Sequence, residues 1–187
     1  MLKVISLSDE CSDEYVKLPA KEEIRDYIVQ EFGYAFSGIG YCICNERNMR
    51  IHLCFAAYMI GFLTVHDFFQ VSKAEFAVLI GLCALVMALE AVNTAVEKAV
   101  DLVTKERNEL ARISKDAAAG AVLIAAIGSV IAGIAILYQP HAFAKMFEYY
   151  KENIPVFIGF VISFIASLVF VFAGPKGIKN FFKNHVK

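Results

Sequence analysis

Residues 154–173 run for 20 positions without a charged side chain, the length an α-helix needs to cross a bilayer. Phe76 to Leu89 and Ala117 to Ala144 are likewise uncharged, and a shorter apolar run extends from about Met49 to Val65. Inside hydrocarbon every backbone N–H and C=O must be paired within the protein, which for runs of this length means helices. The whole chain agrees: 58% of its residues are hydrophobic, above the roughly 45–50% of soluble domains. The expected fold is therefore all-α, an integral membrane bundle with four spans.

Three regions follow from the same pattern. Residues 1–20 read as an irregular acidic extension. From Lys21 to about Gly40, Ile24, Tyr27, Ile28, Phe32, Ala35, Phe36 and Ile39 recur at helical spacing, which predicts an amphipathic helix on the membrane surface. Spans one to three then occupy about 49–65, from about 74, and 117–138. Residues 139–187 add an outer loop, a fourth span at about 154–173 and a basic tail. No basic start followed by an apolar core marks a secretory signal in residues 1–31. A net charge of −1 gives no basic field for nucleic acid.

The basic residues predict an orientation. Segments 1–50, 102–115 and 176–187 hold fourteen Lys and Arg, whereas the opposite loops hold only Lys73, Lys145 and Lys151. By the positive-inside rule both termini are cytoplasmic.

Where the second run ends, Glu90, Asn93, Glu97 and Asp101 follow at helical spacing. At about 100° per residue they share an arc of roughly 80°. A solvated stripe on a soluble amphipathic helix would look similar, but this stripe continues an apolar run, and ionisable groups at membrane depth mark functional sites by default. Such carboxylates can hold a divalent cation through hard oxygens or accept a proton from a hydroxyl. Two motifs meet the stripe on the inner side. Asn45 to His52 brings Glu46, Arg47, Asn48 and Arg50 to the entrance of span one. Arg47 and Arg50 alone read more readily as a positive-inside anchor, but Glu46 does not fit that reading. Ser114 to Val122 opens span three with Lys115 and Asp116 before an Ala-Ala-Ala-Gly run. There a helix N-terminus suits phosphate, and small side chains let a neighbouring helix approach closely.

Four ordered motifs resemble the prokaryotic diacylglycerol kinase family, in particular its Gram-positive undecaprenol kinase branch: Phe32 to Ile39, Glu46 to His52, Glu90 to Asp101 and Lys115 to Val122. The resemblance spans about residues 24–138. It implies a homotrimer with composite sites at the cytoplasmic face of the cell membrane, transferring the γ-phosphoryl of ATP to a lipid hydroxyl with Mg²⁺. It further implies that Glu90 is the general base and that Glu46 and Glu97 hold the metal. Tyr34, Asn93, Asp101, Glu106, Lys115 and Asp116 then fall around the nucleotide, and Asn48 and Arg50 at the lipid interface. Asn108 stands where family members usually carry His, which removes one expected nucleotide contact. No Walker loop or Gly-rich kinase loop is present, and the family uses neither. The fourth span departs from the family pattern and is expected to pack outside the core or alter assembly. Undecaprenol is the favoured acceptor, with diacylglycerol the alternative. The competing classes are a non-catalytic membrane protein that uses the acidic stripe and an inactive kinase relative.

Overall fold

A computed structural model describes residues 21–185; the acidic extension expected over 1–20 lies outside the described residues. The described residues form six helices: α1 (Lys21–Asn45), α2 (Arg47–Val65), α3 (Lys73–Val103), α4 (Glu109–Leu137), α5 (Pro140–Glu152) and α6 (Ile154–His185). The fold is all-α, and α2, α3, α4 and α6 are each long and apolar enough to span a membrane.

The chain divides into two units, one ending at Ser37 and the other beginning at Gly38. In the first, Gln30 Nε2 donates to the Tyr34 hydroxyl at 2.8 Å, one helical turn apart. Val29, Phe32, Tyr34 and Phe36 are exposed. The helix expected to end near Gly40 continues to Asn45.

In the second unit, local chemistry sets the helix ends. Glu46 interrupts the helix with extended backbone, φ −101° and ψ 120°, so α2 starts immediately after a carboxylate. Ser72 and Glu75 form a reciprocal capping box, Ser72 N to Glu75 Oε2 at 2.8 Å and Glu75 N to Ser72 Oγ at 3.2 Å, which fixes where α3 begins. Asn108 Oδ1 accepts from Leu110 N and Ala111 N at 2.8 and 3.2 Å. That cap starts α4 at Glu109, eight residues before the apolar run. Pro140 opens α5, where its missing N–H costs nothing. The stretch expected as an outer loop is thus largely helical.

The packing order is α3 on α4, α2 on α3, α6 on α2 and α5 on α6. Met49, Ala56, Met59, Leu79, Val86 and Val122 form the buried interior. At the end that carries the α2–α3 connection, Phe68 and Tyr149 rings meet edge to face at 5.4 Å, with His66 stacked on Phe68 at 4.8 Å. Gln139 closes the same end by accepting from Gln70 N and donating to Gln70 O, both at 3.0 Å. Along the shared face, Tyr58 and Phe62 pack on Phe160, and Tyr58 meets the Ser163 hydroxyl at 3.0 Å. The fourth span therefore packs outside the α3–α4 pair, along α2. Outside its own stretch of helix, no described atom lies within 4 Å of where a Gly120 Cβ would stand.

Candidate active site

Helix length places the site in depth. From Lys73 to Glu90 the chain climbs about 26 Å at 1.5 Å per residue, close to the roughly 30 Å of a hydrocarbon core. With Lys73 at one boundary, Glu90 approaches the other, and Glu97 and Asp101 project beyond it. Glu90 is nonetheless only 4% exposed. Its cover comes from the start of α2: His52 Nε2 stands 3.7 Å from Glu90 Oε1. Asn48 and the carboxylates of Glu46 and Glu97 are its further electrostatic neighbours. Asn48 and His52 are four residues apart and so share a face of α2. Thr94, buried one turn beyond Glu90, returns its hydroxyl to the Glu90 carbonyl at 3.0 Å.

One turn further, Asn93 Nδ2 donates to Glu97 Oε1 at 3.1 Å. Its own Oδ1 is buried without a hydrogen-bond partner, an arrangement rare enough in folded proteins to require an explanation. An oxygen facing a cation or a nucleotide proton donor supplies one. Among the described residues no group of three or more His, Cys, Asp or Glu side chains could hold a metal by itself. Mg²⁺ characteristically takes one or two carboxylates and completes its shell with phosphate oxygens and water. Glu46, Glu97 and Asn93 carry side-chain oxygens of the hard type such an ion takes.

The other expected residues fall in two places. Lys115 Nζ is paired with Asp101 Oδ1, joining the end of α3 to the start of α4 beside the stripe. Asp116 is engaged by Arg112 at 2.8 Å, and Arg112 also pairs with Glu109 at 2.6 Å. Glu106 is exposed in the α3–α4 connection, its N–H bonded to Thr104 Oγ1 at 3.2 Å. Arg50, expected at the lipid interface, is buried, with its guanidinium on the carbonyls of Val171 and Ile43, each at 3.0 Å. Tyr34 belongs to the first unit. The structure thus gathers Glu46, Asn48, Glu90, Asn93 and Glu97, and pairs Asp101 with Lys115. His52 and Thr94 were not singled out from sequence, although their four-residue offsets from Asn48 and Glu90 carried the signal.

An apolar groove of about 530 Å³ runs from His52 along α2, α3 and α4, past Phe55, Cys83 and Ser129, to Tyr138 at the outer end. His52, whose imidazole faces Glu90, is among its lining residues.

Comparison with known proteins gives a concordant result. The sequence model of a family described as prokaryotic diacylglycerol kinase matches residues 33–137, ending where α4 ends. A diacylglycerol kinase of Synechocystis sp. is 40% identical over 119 residues, 63% of this chain and 66% of that protein. An undecaprenol kinase of Bacillus subtilis is 37% identical over 109 residues, 57% of this chain and 85% of that protein. A diacylglycerol kinase of Haemophilus influenzae is 36% identical over 110 residues, 58% of this chain and 91% of that protein.

Proposed function

This chain belongs to the prokaryotic diacylglycerol kinase family and is a multi-pass membrane lipid kinase; on that premise we propose that it moves the γ-phosphoryl of ATP directly to the hydroxyl of undecaprenol, with Glu90 as general base. The observation that carries the reading is the burial of Glu90 beside His52, a residue that also lines an apolar groove. A lipid whose tail fills that groove presents its hydroxyl at the depth of Glu90.

In the proposed step the hydroxyl proton passes to the Glu90 carboxylate as the new O–P bond forms and the bond from γ-phosphorus to ADP breaks. Phosphoryl transfer asks mainly for positioning and charge neutralisation. Bound Mg²⁺ would neutralise the phosphate oxygens, held by Glu46 and Glu97 with Asn93 Oδ1 turned to it or to the nucleotide. Lys115 is poised by Asp101 to contribute further positive charge. Tyr34, Asp101, Glu106 and Asp116 are assigned to the surroundings of the nucleotide, and Asn48 to the Glu90 cluster. His52 keeps the proton-accepting oxygen oriented and shields it from water.

Undecaprenol is favoured as the acceptor because the Glu46 to His52 motif resembles that branch of the family. The site is assigned to the cytoplasmic face, with both termini on that side, because the basic residues flank it. The working assembly is taken to be a homotrimer, as the family resemblance implies. The deciding experiment is transfer from labelled ATP in mixed micelles with Mg²⁺, offering undecaprenol and diacylglycerol together. Preferential labelling of undecaprenol, lost in Glu90→Gln and Glu97→Gln, is the expected result. Labelling of diacylglycerol alone would reassign the acceptor, and no transfer by folded protein would overturn the kinase mechanism.

A further inference from the structure

Arg50 lies in the first turn of α2, and only 6% of it is exposed. A guanidinium is always charged and carries five N–H donors, so burying it without acceptors is strongly unfavourable. Its acceptors are two backbone carbonyls made available by the chain itself. Nε donates to Val171 O at 3.0 Å. In a regular helix that carbonyl would receive the N–H of residue 175, but residue 175 is proline and has none. Nη1 donates to Ile43 O at 3.0 Å, in the last turn of α1, where helical donors run out. Gly174 completes the fit. Its φ is +65°, and a Cβ there would stand 3.2 Å from Arg50 Cζ and 3.3 Å from Nη1. One residue past the proline, Lys176 Nζ donates to Asn45 Oδ1 at 2.6 Å.

Asn45 and Arg50 flank Glu46, the single residue between α1 and α2. Both are held from the kink of α6, and that helix lies wholly beyond the family match, which ends at residue 137. We propose that the Gly174–Pro175 kink is a positioning clamp for the Glu46 junction, which makes the appended fourth span part of the phosphoryl-transfer apparatus. Val171, Gly174 and Lys176 are positioning residues that act through Arg50 and Asn45. The inference rests on the reading of Glu46 as a metal-holding carboxylate.

The test uses the full chain in nanodiscs. Pro175→Ala returns an N–H to Val171 O in a residue that favours helix, releasing Arg50 Nε while preserving the fold. Hydrogen exchange of residues 43–50 is expected to quicken about tenfold. Binding of Mn²⁺·ATP without lipid should weaken about tenfold, the usual scale for losing a group that orients a metal ligand. The KM for nucleotide should rise in parallel while the KM for lipid holds. Gly174→Ala, measured in the same way, should act in the same direction. Unchanged exchange and unchanged binding in both variants would overturn the clamp. So would faster exchange with unchanged binding, because the kink would then be structural only. Glu46→Gln separates the premise from the inference. Intact Mn²⁺·ATP binding in Glu46→Gln would overturn the reading of Glu46 itself, whereas loss there with none in Pro175→Ala would overturn only the clamp.

Discussion

His52 Nε2 faces Glu90 Oε1 across 3.7 Å, so the buried carboxylate of α3 has an imidazole from α2 beside it. Glu90→Gln keeps the shape and removes the proposed base. Turnover should fall by about 10²- to 10⁴-fold, the usual contribution of a positioned proton acceptor, with Mn²⁺·ATP binding unmoved. His52→Leu should lower turnover by roughly tenfold, a smaller loss within general acid–base catalysis, again with nucleotide binding intact. Steady-state rates together with direct nucleotide binding check both.

Asn93 combines a made hydrogen bond with an unmade one. Asn93→Leu removes the bond to Glu97 and also removes the buried, unpartnered Oδ1, changes that oppose each other in stability. The melting temperature of the free protein should therefore stay close to that of the parent. Affinity for Mg²⁺·ATP should drop about tenfold or more if that oxygen meets the metal or nucleotide. Calorimetry and nucleotide titration of the same preparation would separate the two effects.

Lys115 and Asp101 are both substantially exposed, at 37% and 53%, and a pair in water contributes little to folding. Lys115→Met should leave thermal unfolding nearly unchanged while raising the KM for ATP about tenfold or more, since it removes the positive charge proposed to meet the phosphates. Asp101→Asn leaves the lysine charged but unheld, and should have a smaller effect in the same direction. A steep fall in melting temperature for Lys115→Met would identify the pair as structural.

Asn108 supplies a helix cap, accepting from two N–H groups of α4. Asn108→Ala should destabilise the first turn of α4 by about 1 kcal/mol, and Asn108→Asp should preserve it. Hydrogen exchange at Leu110 and Ala111 reads this directly.

The spans and the stripe were legible because both are periodic. An uncharged run of 20 residues and carboxylates at helical offsets need no knowledge of the partner helix. Glu90, Asn93 and Glu97 were visible on one face for that reason. His52 was not, because its meaning depends on how α2 rotates against α3, and that rotation is set by packing at Met49, Met59 and Val86. The early start of α4 followed from a single capping side chain, Asn108, outside the apolar pattern. Arg50 resembled an interfacial anchor because its acceptor, Val171, is 121 positions away. Short-range periodicity carries no trace of such a contact, although Gly174 and Pro175 together marked a break in an otherwise continuous helix.

The fourth span does not pack on α4, the preceding span. It passes α4 and α3 and lies along α2, joined through Tyr58 to Phe160 and Ser163. During synthesis α2 therefore enters the bilayer long before the helix that will cover it exists. At about 5–20 residues per second, the separation between Arg50 and Val171 corresponds to roughly 6–24 s on the ribosome. Throughout that interval the Tyr58–Phe62 face must be occupied by lipid or by a membrane chaperone. Cover of the α2 face thus awaits synthesis of α6, and a ribosome stalled after α4 would leave in the membrane a nascent chain with the acidic stripe formed and the α2 face uncovered.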